Sequence, residues 1–180
     1  DLTYRIAFAS LRSLTPAMAR EILARTGSEE NFFNLTSGQL ASMLGFRNRL
    51  FDREIRDKAL REAEAETGFI ARSGISATYF TDPDYPSRLL ECDDAPLMLY
   101  SVGSCDLNSA RVVSIVGTRH ATSYGVGFVN DLVEGLARKC ADPVVIVSGL
   151  AYGIDVAAHR TALSAGLPTV GVLAHGLNTI

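Results

Sequence analysis

From residue 111 onwards, short uninterrupted apolar runs alternate with longer segments of helical periodicity. The runs are Val112–Val116, Val144–Val147 and Thr169–Leu173, and the helical segments cover about 122–139 and 154–165. Strands that are apolar throughout are typical of parallel sheets, because helices cover both faces of such a sheet. The pattern therefore predicts an α/β fold built on a Rossmann-like βαβαβ unit with right-handed crossovers.

The N-terminal part of the chain predicts helices and no strand. Thr15–Pro16 combines an N-cap with proline at the first helical position, and Gly27 then ends the helix. A second, short helix is expected around Leu40–Leu44. The longest helix is expected from Phe46 to about Glu66, where apolar residues recur at helical spacing among charged ones. We expect these helices to form a small all-α bundle.

These patterns divide the chain into three segments. Residues 1–68 form the predicted bundle, residues 69–110 a connecting extension, and residues 111–180 the N-terminal part of a Rossmann-like domain. The extension contains two predicted short strands, Ile75–Phe80 and Pro96–Tyr100, separated by a turn and a short helical segment.

Composition and charge argue against several classes of protein. No apolar run approaches the length of a membrane span, and the N-terminus lacks the charged and apolar regions of a signal peptide. The three cysteines are widely spaced, which argues against a disulfide framework or a zinc site and favours a reducing, cytoplasmic setting. Neither a metal nor a cofactor is expected. A net charge of −3 and a pI near 5.6 disfavour a broad basic surface but allow a small basic pocket.

All three apolar runs lead into loops that contain glycine and polar residues together. These loops are Gly117–Arg119, Ser148–Ala151 and Ala174–Gly176. In a parallel sheet they meet at the carboxyl edge, where open α/β folds bind ligands. The first loop enters a helix capped by Thr122, so backbone amides and the positive helix end converge there, as they do at phosphate sites. Because Arg119 adds a bidentate phosphate donor, we expect an anionic ligand.

Five further side chains near these loops require an interpretation. Asp155 and His159 fall four residues apart on one helical face. Asp155 is expected to be structural, holding the helix N-terminus and the local backbone, while His159 either bonds to Asp155 or lines the pocket. His175 fits a solvated loop residue better than a base-stacking group. Tyr124 and Tyr152 are candidates for stacking on bases, although packing beneath the loops is the simpler expectation.

Five short motifs follow one another between residues 85 and 177. They read Tyr85-Pro86-x-x-Leu89, Asp94-x-Pro96-x-x-Leu99-Tyr100-x-x-Gly103, Ile115-Val116-Gly117-Thr118-Arg119-x-Ala121-Thr122-x-Tyr124-Gly125, Ser148-Gly149-Leu150-Ala151-x-Gly153-Ile154-Asp155-x-x-Ala158-His159 and Val172-Leu173-Ala174-x-Gly176-Leu177. Together they resemble the DNA-processing protein A (DprA, also called Smf) family over about residues 83–177. The predicted bundle is similar in placement to the helical N-terminal domain of that family, which is related to SAM-like and helix-hairpin-helix modules.

The resemblance implies a binding protein with no catalytic residues. Members of the family bind single-stranded DNA that enters a competent bacterium, protect it, and help to load RecA onto it during natural transformation and recombination. They work as dimers in their full-length form and are not membrane proteins. By motif, the resemblance assigns the nucleic-acid contacts to six residues, with Arg119 as the principal phosphate contact: Gly117, Thr118, Arg119, Ser148, Gly149 and Gly176.

The chain also departs from the family pattern. It ends at Ile180, just after the third predicted strand, whereas the sheet of the family continues with further strands, basic pocket residues and the main dimerisation surface. Asn178 stands where an acidic residue is common in the family.

A further hypothesis concerns the predicted helical bundle. It assigns the bundle to protein interaction, with RecA or another recombination factor as the partner.

An enzymatic alternative stays open. Rossmann-like nucleotide-binding hydrolases and phosphoribohydrolases also bind phosphate at this edge of the sheet, but they need a catalytic glutamate and a G-G-x-G-T loop, and neither occurs up to residue 180. The chain also lacks the G-x-G-x-x-G fingerprint of NAD sites and the G-x-x-x-x-G-K-[ST] motif of P-loop nucleotidases.

Overall fold

The computed structural model describes residues 1–177, which fall into two units, Asp1–Val102 and Gly103 onwards. Among the described residues, each unit has its own helices, strands and core. The first unit contains α1 (Leu2–Ala9), α2 (Pro16–Thr26), α3 (Glu29–Asn34), α4 (Ser37–Leu44), a 3-10 turn (Arg49–Phe51), α5 (Arg53–Ser73), β1 (Ser76–Tyr79), a 3-10 helix (Ser87–Glu91) and β2 (Met98–Ser101). The second contains β3 (Val112–Ser114), α6 (Ser123–Lys139), β4 (Val145–Ser148), α7 (Ile154–Ser164) and β5 (Thr169–Gly171).

Capping residues set the limits of α2, as the sequence predicts, and also those of α4. The Thr15 hydroxyl accepts a hydrogen bond from the Met18 amide, and Gly27 ends α2 with a φ of +81°. Thr36 and Gln39 form a reciprocal capping box at the start of α4. Such caps satisfy amide and carbonyl groups that a helix end leaves without partners.

The long helix begins later than predicted. The sequence places its start at Phe46, whereas α5 begins at Arg53. The Asn48 side chain caps a 3-10 turn by accepting a hydrogen bond from the Leu50 amide, and Asp52 is extended. Apolar periodicity continues through this turn, so periodicity alone cannot separate the turn from the helix.

Helices α1 and α3 were not predicted, and both begin at a polar cap. The Asp1 carboxylate accepts a hydrogen bond from the Thr3 amide, and the Ser28 hydroxyl accepts one from the Asn31 amide. The two helices are only eight and six residues long. Apolar periodicity is hard to detect over so short a length, so caps were the available signal.

A buried arginine holds the centre of the first unit. Arg56 is 1% exposed, and its Nη1 donates to the carbonyl oxygens of Phe32, Phe33 and Leu35 at 2.7, 2.9 and 2.8 Å. Its Nε donates to the Phe51 carbonyl at 3.2 Å. The guanidinium thus satisfies carbonyl groups at the C-terminal end of α3, and its burial lowers the pKa of Arg56.

The antiparallel pair of β1 and β2 shares the core of the helices. Ser76 pairs with Ser101 and Tyr79 with Met98. Tyr79, Phe80 and Tyr85 are buried in the same apolar cluster as the bundle residues. Residues 76–101 of the predicted extension therefore pack within the first unit, which differs from the three-segment division made from the sequence.

The second unit has the predicted α/β architecture. Its strands form a parallel sheet in the order β3-β4-β5, with Val112 opposite Val145 and Ile146 opposite Thr169. The connections through α6 and α7 complete the βαβαβ unit. Ile146, in the central strand, is fully buried. This order brings the three predicted glycine-containing loops to one edge of the sheet.

The buried face of α6 is narrower than predicted. The sequence places Phe128, Leu132, Val129, Val133 and Leu136 in one buried stripe. The structure buries Val129 and Val133 but leaves Phe128 60% and Leu132 39% exposed. The prediction was therefore wrong for Phe128 and Leu132, because helical spacing shows which residues share a face but not how much of that face is covered.

Candidate functional site

The carboxyl edge of the parallel sheet carries the candidate site. The loop after β4 lies between the loops after β3 and β5, because β4 is the central strand. The first loop runs from β3 to α6 and the second from β4 to α7. Both loops thus end at a helix N-terminus on this edge, which is where α/β folds commonly bind anions.

Asp155 connects the first two loops. It lies in the first turn of α7 and is 4% exposed. Its Oδ1 accepts a hydrogen bond from the Gly117 amide at 3.3 Å, and its Oδ2 accepts one from the Gly149 amide at 3.2 Å. One carboxylate therefore holds the backbone of both loops against α7.

Glycines allow these loops to approach each other closely. Gly153 has a φ of +83°, and a Cβ there would collide with the Thr118 carbonyl oxygen and lie 2.7 Å from that of Arg119. A Cβ at Gly117 would lie 2.6 Å from the Ile154 side chain. The Ile154 amide donates to the Thr118 carbonyl at 3.2 Å. The frame of the site therefore consists of glycine backbone packed against the backbone of Thr118 and Arg119 and against the Ile154 side chain.

Arg119 lies on this frame, and its side chain is exposed to solvent. No ion pair involves it within residues 1–177. Its neighbour Thr118 accepts a hydrogen bond from the His120 amide at 3.2 Å. Thr122 then caps α6 by accepting a hydrogen bond from the Gly125 amide at 3.1 Å. An unpaired guanidinium thus lies three residues before the N-cap of a 17-residue helix.

Ser148 and Gly149 already use their polar groups within the protein. The Ser148 side chain is 3% exposed, and its hydroxyl donates to the Ile115 carbonyl at 2.6 Å. The Gly149 amide donates to Asp155. Their assignment as nucleic-acid contacts stays a prediction, but the groups that would make such contacts are engaged in holding β3, β4 and α7 together.

His159 has a partner that the sequence did not indicate. Its Nδ1 lies 2.7 Å from the Thr169 hydroxyl, which in turn donates to the Ile146 carbonyl at 2.9 Å. Since that hydroxyl proton is already donated, Nδ1–H is the donor to Thr169. His159 is 6% exposed, and burial lowers its pKa, with an opposing effect from Asp155. A neutral ring thus ties α7 to β5, which is neither of the two arrangements expected.

The third loop carries the remaining predicted residues. His175 is exposed, and its Nδ1 lies 3.1 Å from the Gly176 carbonyl oxygen. Its role as a solvated loop histidine stays a prediction. The contact role of Gly176 stays a prediction, and Asn178 lies outside the described residues.

Tyr124 and Tyr152 are the residues near the site for which the sequence expectation was wrong. They were expected to pack beneath the loops, but they are 82% and 83% exposed. A signal was available for Tyr124, because it lies outside the face of α6 that Val129 and Val133 define. Tyr152 lies in the second loop directly before Gly153, where helical spacing gives no guide.

The described residues also carry information about membrane spans and metal sites. None of the helices within residues 1–177 has the length and apolar character that crossing a membrane requires. The same residues contain no group of three or more His, Cys, Asp or Glu side chains arranged to hold a metal ion.

Comparison with known proteins identifies a family. The sequence model of the family described as DNA recombination-mediator protein A matches residues 76–180. The chain is 41% identical over 97 residues to DNA processing protein DprA of Streptococcus pneumoniae, covering 54% of this chain and 33% of that protein. It is 40% identical over 108 residues to DNA processing protein DprA of Bacillus subtilis, covering 59% and 35%.

Two further matches extend over the whole chain. Protein Smf of Synechocystis is 28% identical over 187 residues, covering all of this chain and 46% of that protein. The X-ray structure of DNA processing protein A from Streptococcus pneumoniae superposes with a TM-score of 0.69 at 28% identity, covering 99% of this chain and 59% of that one. The chain thus spans less than half the length of these curated relatives.

Proposed function

We propose that this chain, which belongs to the DNA recombination-mediator protein A family, binds single-stranded DNA at the carboxyl edge of its parallel sheet. The observation that carries the proposal is the exposed Arg119, which forms no ion pair within residues 1–177, on a turn that leads into the N-terminus of α6. Guanidinium groups and helix N-termini both favour phosphate. Arg119 and the N-terminus of α6 would therefore bind the phosphate oxygens of the DNA strand together.

The rigid frame beneath Arg119 supports this proposal. Asp155 and the close approach of Gly153 fix the backbone of the turn. A guanidinium on a fixed backbone loses less conformational freedom on binding than one on a free loop. With a net charge of −3 over the chain, binding should depend on this local site and not on a general attraction to polyanions.

Several wider roles belong to the same proposal. The protein would protect incoming DNA and help to load RecA during natural transformation and recombination, in the cytoplasm, as a binding protein and not an enzyme. In its full-length form it would act as a homodimer. These roles rest on the family resemblance and on the DNA processing named for the relatives.

The test is a comparison of strands, salts and variants. Fluorescence anisotropy would measure binding of labelled oligo-dT and of a matched duplex at two salt concentrations. We expect a preference for the single strand that weakens at higher salt. Arg119→Ala should weaken binding and lower the salt slope by about 1.

Lys139→Ala is the matched control. It removes the same charge at the last residue of α6, roughly 25 Å along the helix from its first turn. Binding that Lys139→Ala weakens as much as Arg119→Ala would refute a local site at the turn. Binding of a nucleoside monophosphate in place of oligo-dT would favour the hydrolase alternative.

A further inference from the structure

We infer that Tyr124 and Tyr152 stack on the bases of the bound strand, so that the site recognises unpaired bases as well as phosphates. The inference rests on the proposed function and adds the residues that would select single-stranded DNA. It starts from the exposure of both rings in the folded protein.

No aromatic side chain in the described part of the chain is more exposed than these two. Among the Phe and Tyr rings, Tyr124 is 82% and Tyr152 83% exposed, against 60% for Phe128 and 36–38% for Phe46, Phe69 and Tyr100. Within the same residues neither ring stacks on another ring or lies under a cation. Their faces are therefore free to take a ligand.

Both tyrosines lie beside the frame that carries Arg119. Tyr152 directly precedes Gly153, whose Cα approaches the carbonyl oxygens of Thr118 and Arg119. Tyr124 directly precedes Gly125, where a Cβ would lie 3.5 Å from Ile154. Since consecutive Cα atoms are about 3.8 Å apart, the Cα atoms of Tyr124, in the first turn of α6, and of Tyr152, in the second loop, lie within a few ångströms of this frame.

This combination matches the chemistry of single-stranded nucleic acid. Sequence-independent single-strand sites join a cationic contact to the backbone with aromatic rings on which bases stack, and every base offers such a face. A duplex keeps its bases stacked on one another, so it offers phosphates and groove edges but no free base faces for a ring to stack on. Each stacked base is worth about a 5- to 150-fold change in affinity.

The experiment separates bases from phosphates. Anisotropy would compare oligo-dT with an abasic oligonucleotide of the same length, which has the same phosphates and no bases. Wild-type protein should bind oligo-dT more tightly than the abasic strand. Tyr124→Leu and Tyr152→Leu should each reduce this preference by about 5-fold or more while affinity for the abasic strand stays unchanged.

Conservative variants distinguish stacking from a loss of structure. Phenylalanine keeps the ring and removes the hydroxyl. Tyr124→Phe and Tyr152→Phe should therefore retain the wild-type preference for oligo-dT over the abasic strand. Phe69→Leu removes a partly exposed ring from the first unit and should change neither affinity. Circular dichroism should show the same fold in all variants, because both tyrosines are largely exposed.

Tyrosine emission gives an independent readout. The chain contains six tyrosines and no tryptophan, so its intrinsic emission comes from tyrosine. Oligo-dT should quench this emission and the abasic strand should not, and the double Tyr124→Leu, Tyr152→Leu variant should lose the quenching.

The outcomes distinguish the inference from the proposed function. Equal wild-type affinity for both strands, with Arg119→Ala weakening both, overturns the stacking inference and leaves the phosphate site intact. A base preference that survives the leucine variants also overturns it. If wild-type protein binds neither strand, the proposed function itself fails.

Discussion

Replacing Asp155 by alanine should release both loops of the site. The carboxylate holds the Gly117 and Gly149 amides at 3.3 and 3.2 Å from a position that is 4% exposed. A hydrogen bond to a charged group contributes about 1.5–3 kcal/mol to stability. The bonds are longer than the 2.7–2.9 Å usual for charged pairs, so the lower part of that range applies to each. We expect Asp155→Ala to cost about 3 kcal/mol.

Asparagine should be only slightly better than alanine at this position. Its amide oxygen can accept from one of the two glycine amides, but its NH₂ group would face the other, and two donors cannot bond to each other. We expect Asp155→Asn to cost about 2 kcal/mol. The ordering of the two variants tests whether both bonds contribute.

The assay should report on the loops as well as on global unfolding. Urea denaturation followed by circular dichroism gives the free energy, and amide hydrogen exchange gives protection at Gly117 and Gly149. A 3 kcal/mol loss corresponds to roughly 100-fold faster exchange or more at these two amides. Asp131→Ala removes an exposed carboxylate from α6 and serves as the control. If Asp155→Ala stays within about 0.5 kcal/mol of this control, the bridging role of the carboxylate is refuted.

Three further perturbations have defined outcomes. Gly153→Ala should lower the free energy of unfolding in urea by more than about 2 kcal/mol, because the φ of +83° and the Thr118 carbonyl exclude a Cβ. Gly127→Ala places its Cβ in open space on α6 and should raise the free energy of unfolding by about 0.5–1 kcal/mol. Arg56→Met should destabilise by at least about 3 kcal/mol, since it leaves the carbonyl groups at the end of α3 without a donor; a smaller loss by the same measurement would contradict this role. Burial lowers the pKa of folded His159 below its ordinary 6.5, so the unfolded chain binds more protons in acid, and stability should fall as pH drops below about 6.5. His159→Asn keeps a donor for the Thr169 hydroxyl and should reduce this pH dependence, measured as the change of melting temperature with pH. If the melting temperature of the variant changes with pH as much as that of the wild type, other groups cause the pH dependence.

Local signals predicted the parts of the fold that local chemistry determines. Thr15 and Gly27 marked the two ends of α2, and uninterrupted apolar runs marked the parallel strands. The same reasoning failed at Asn48, where a side-chain bond to a nearby amide interrupts an apparently continuous helical pattern. Competition between a side chain and the helix for one amide is not visible in periodicity.

The site was predicted at the level of loops but not of side chains. Parallel pairing guarantees that the three strand ends share an edge, so the position of the loops followed from the strand pattern. Which groups remain available depends on contacts across the fold. The Ser148 hydroxyl is hydrogen-bonded to the Ile115 carbonyl, and the His159 ring to the Thr169 hydroxyl. Both partners are distant enough in sequence that no local pattern shows them. The exposure of Tyr124 likewise depends on how much of α6 its neighbours cover.

The interlock of Asp155 with Gly117, Gly149 and Gly153 divides the edge of the sheet into two kinds of position. The residues of the interlock fit closely against their present neighbours. Substitutions at these positions should therefore destabilise the fold, and variants that carry them should be eliminated because they misfold. Outward side chains such as Arg119 and Tyr152 contribute little to that support and can be exchanged without rebuilding it. A protein arranged in this way can change what it recognises while its architecture stays fixed, and directed evolution of its specificity should concentrate its accepted changes on the outward set.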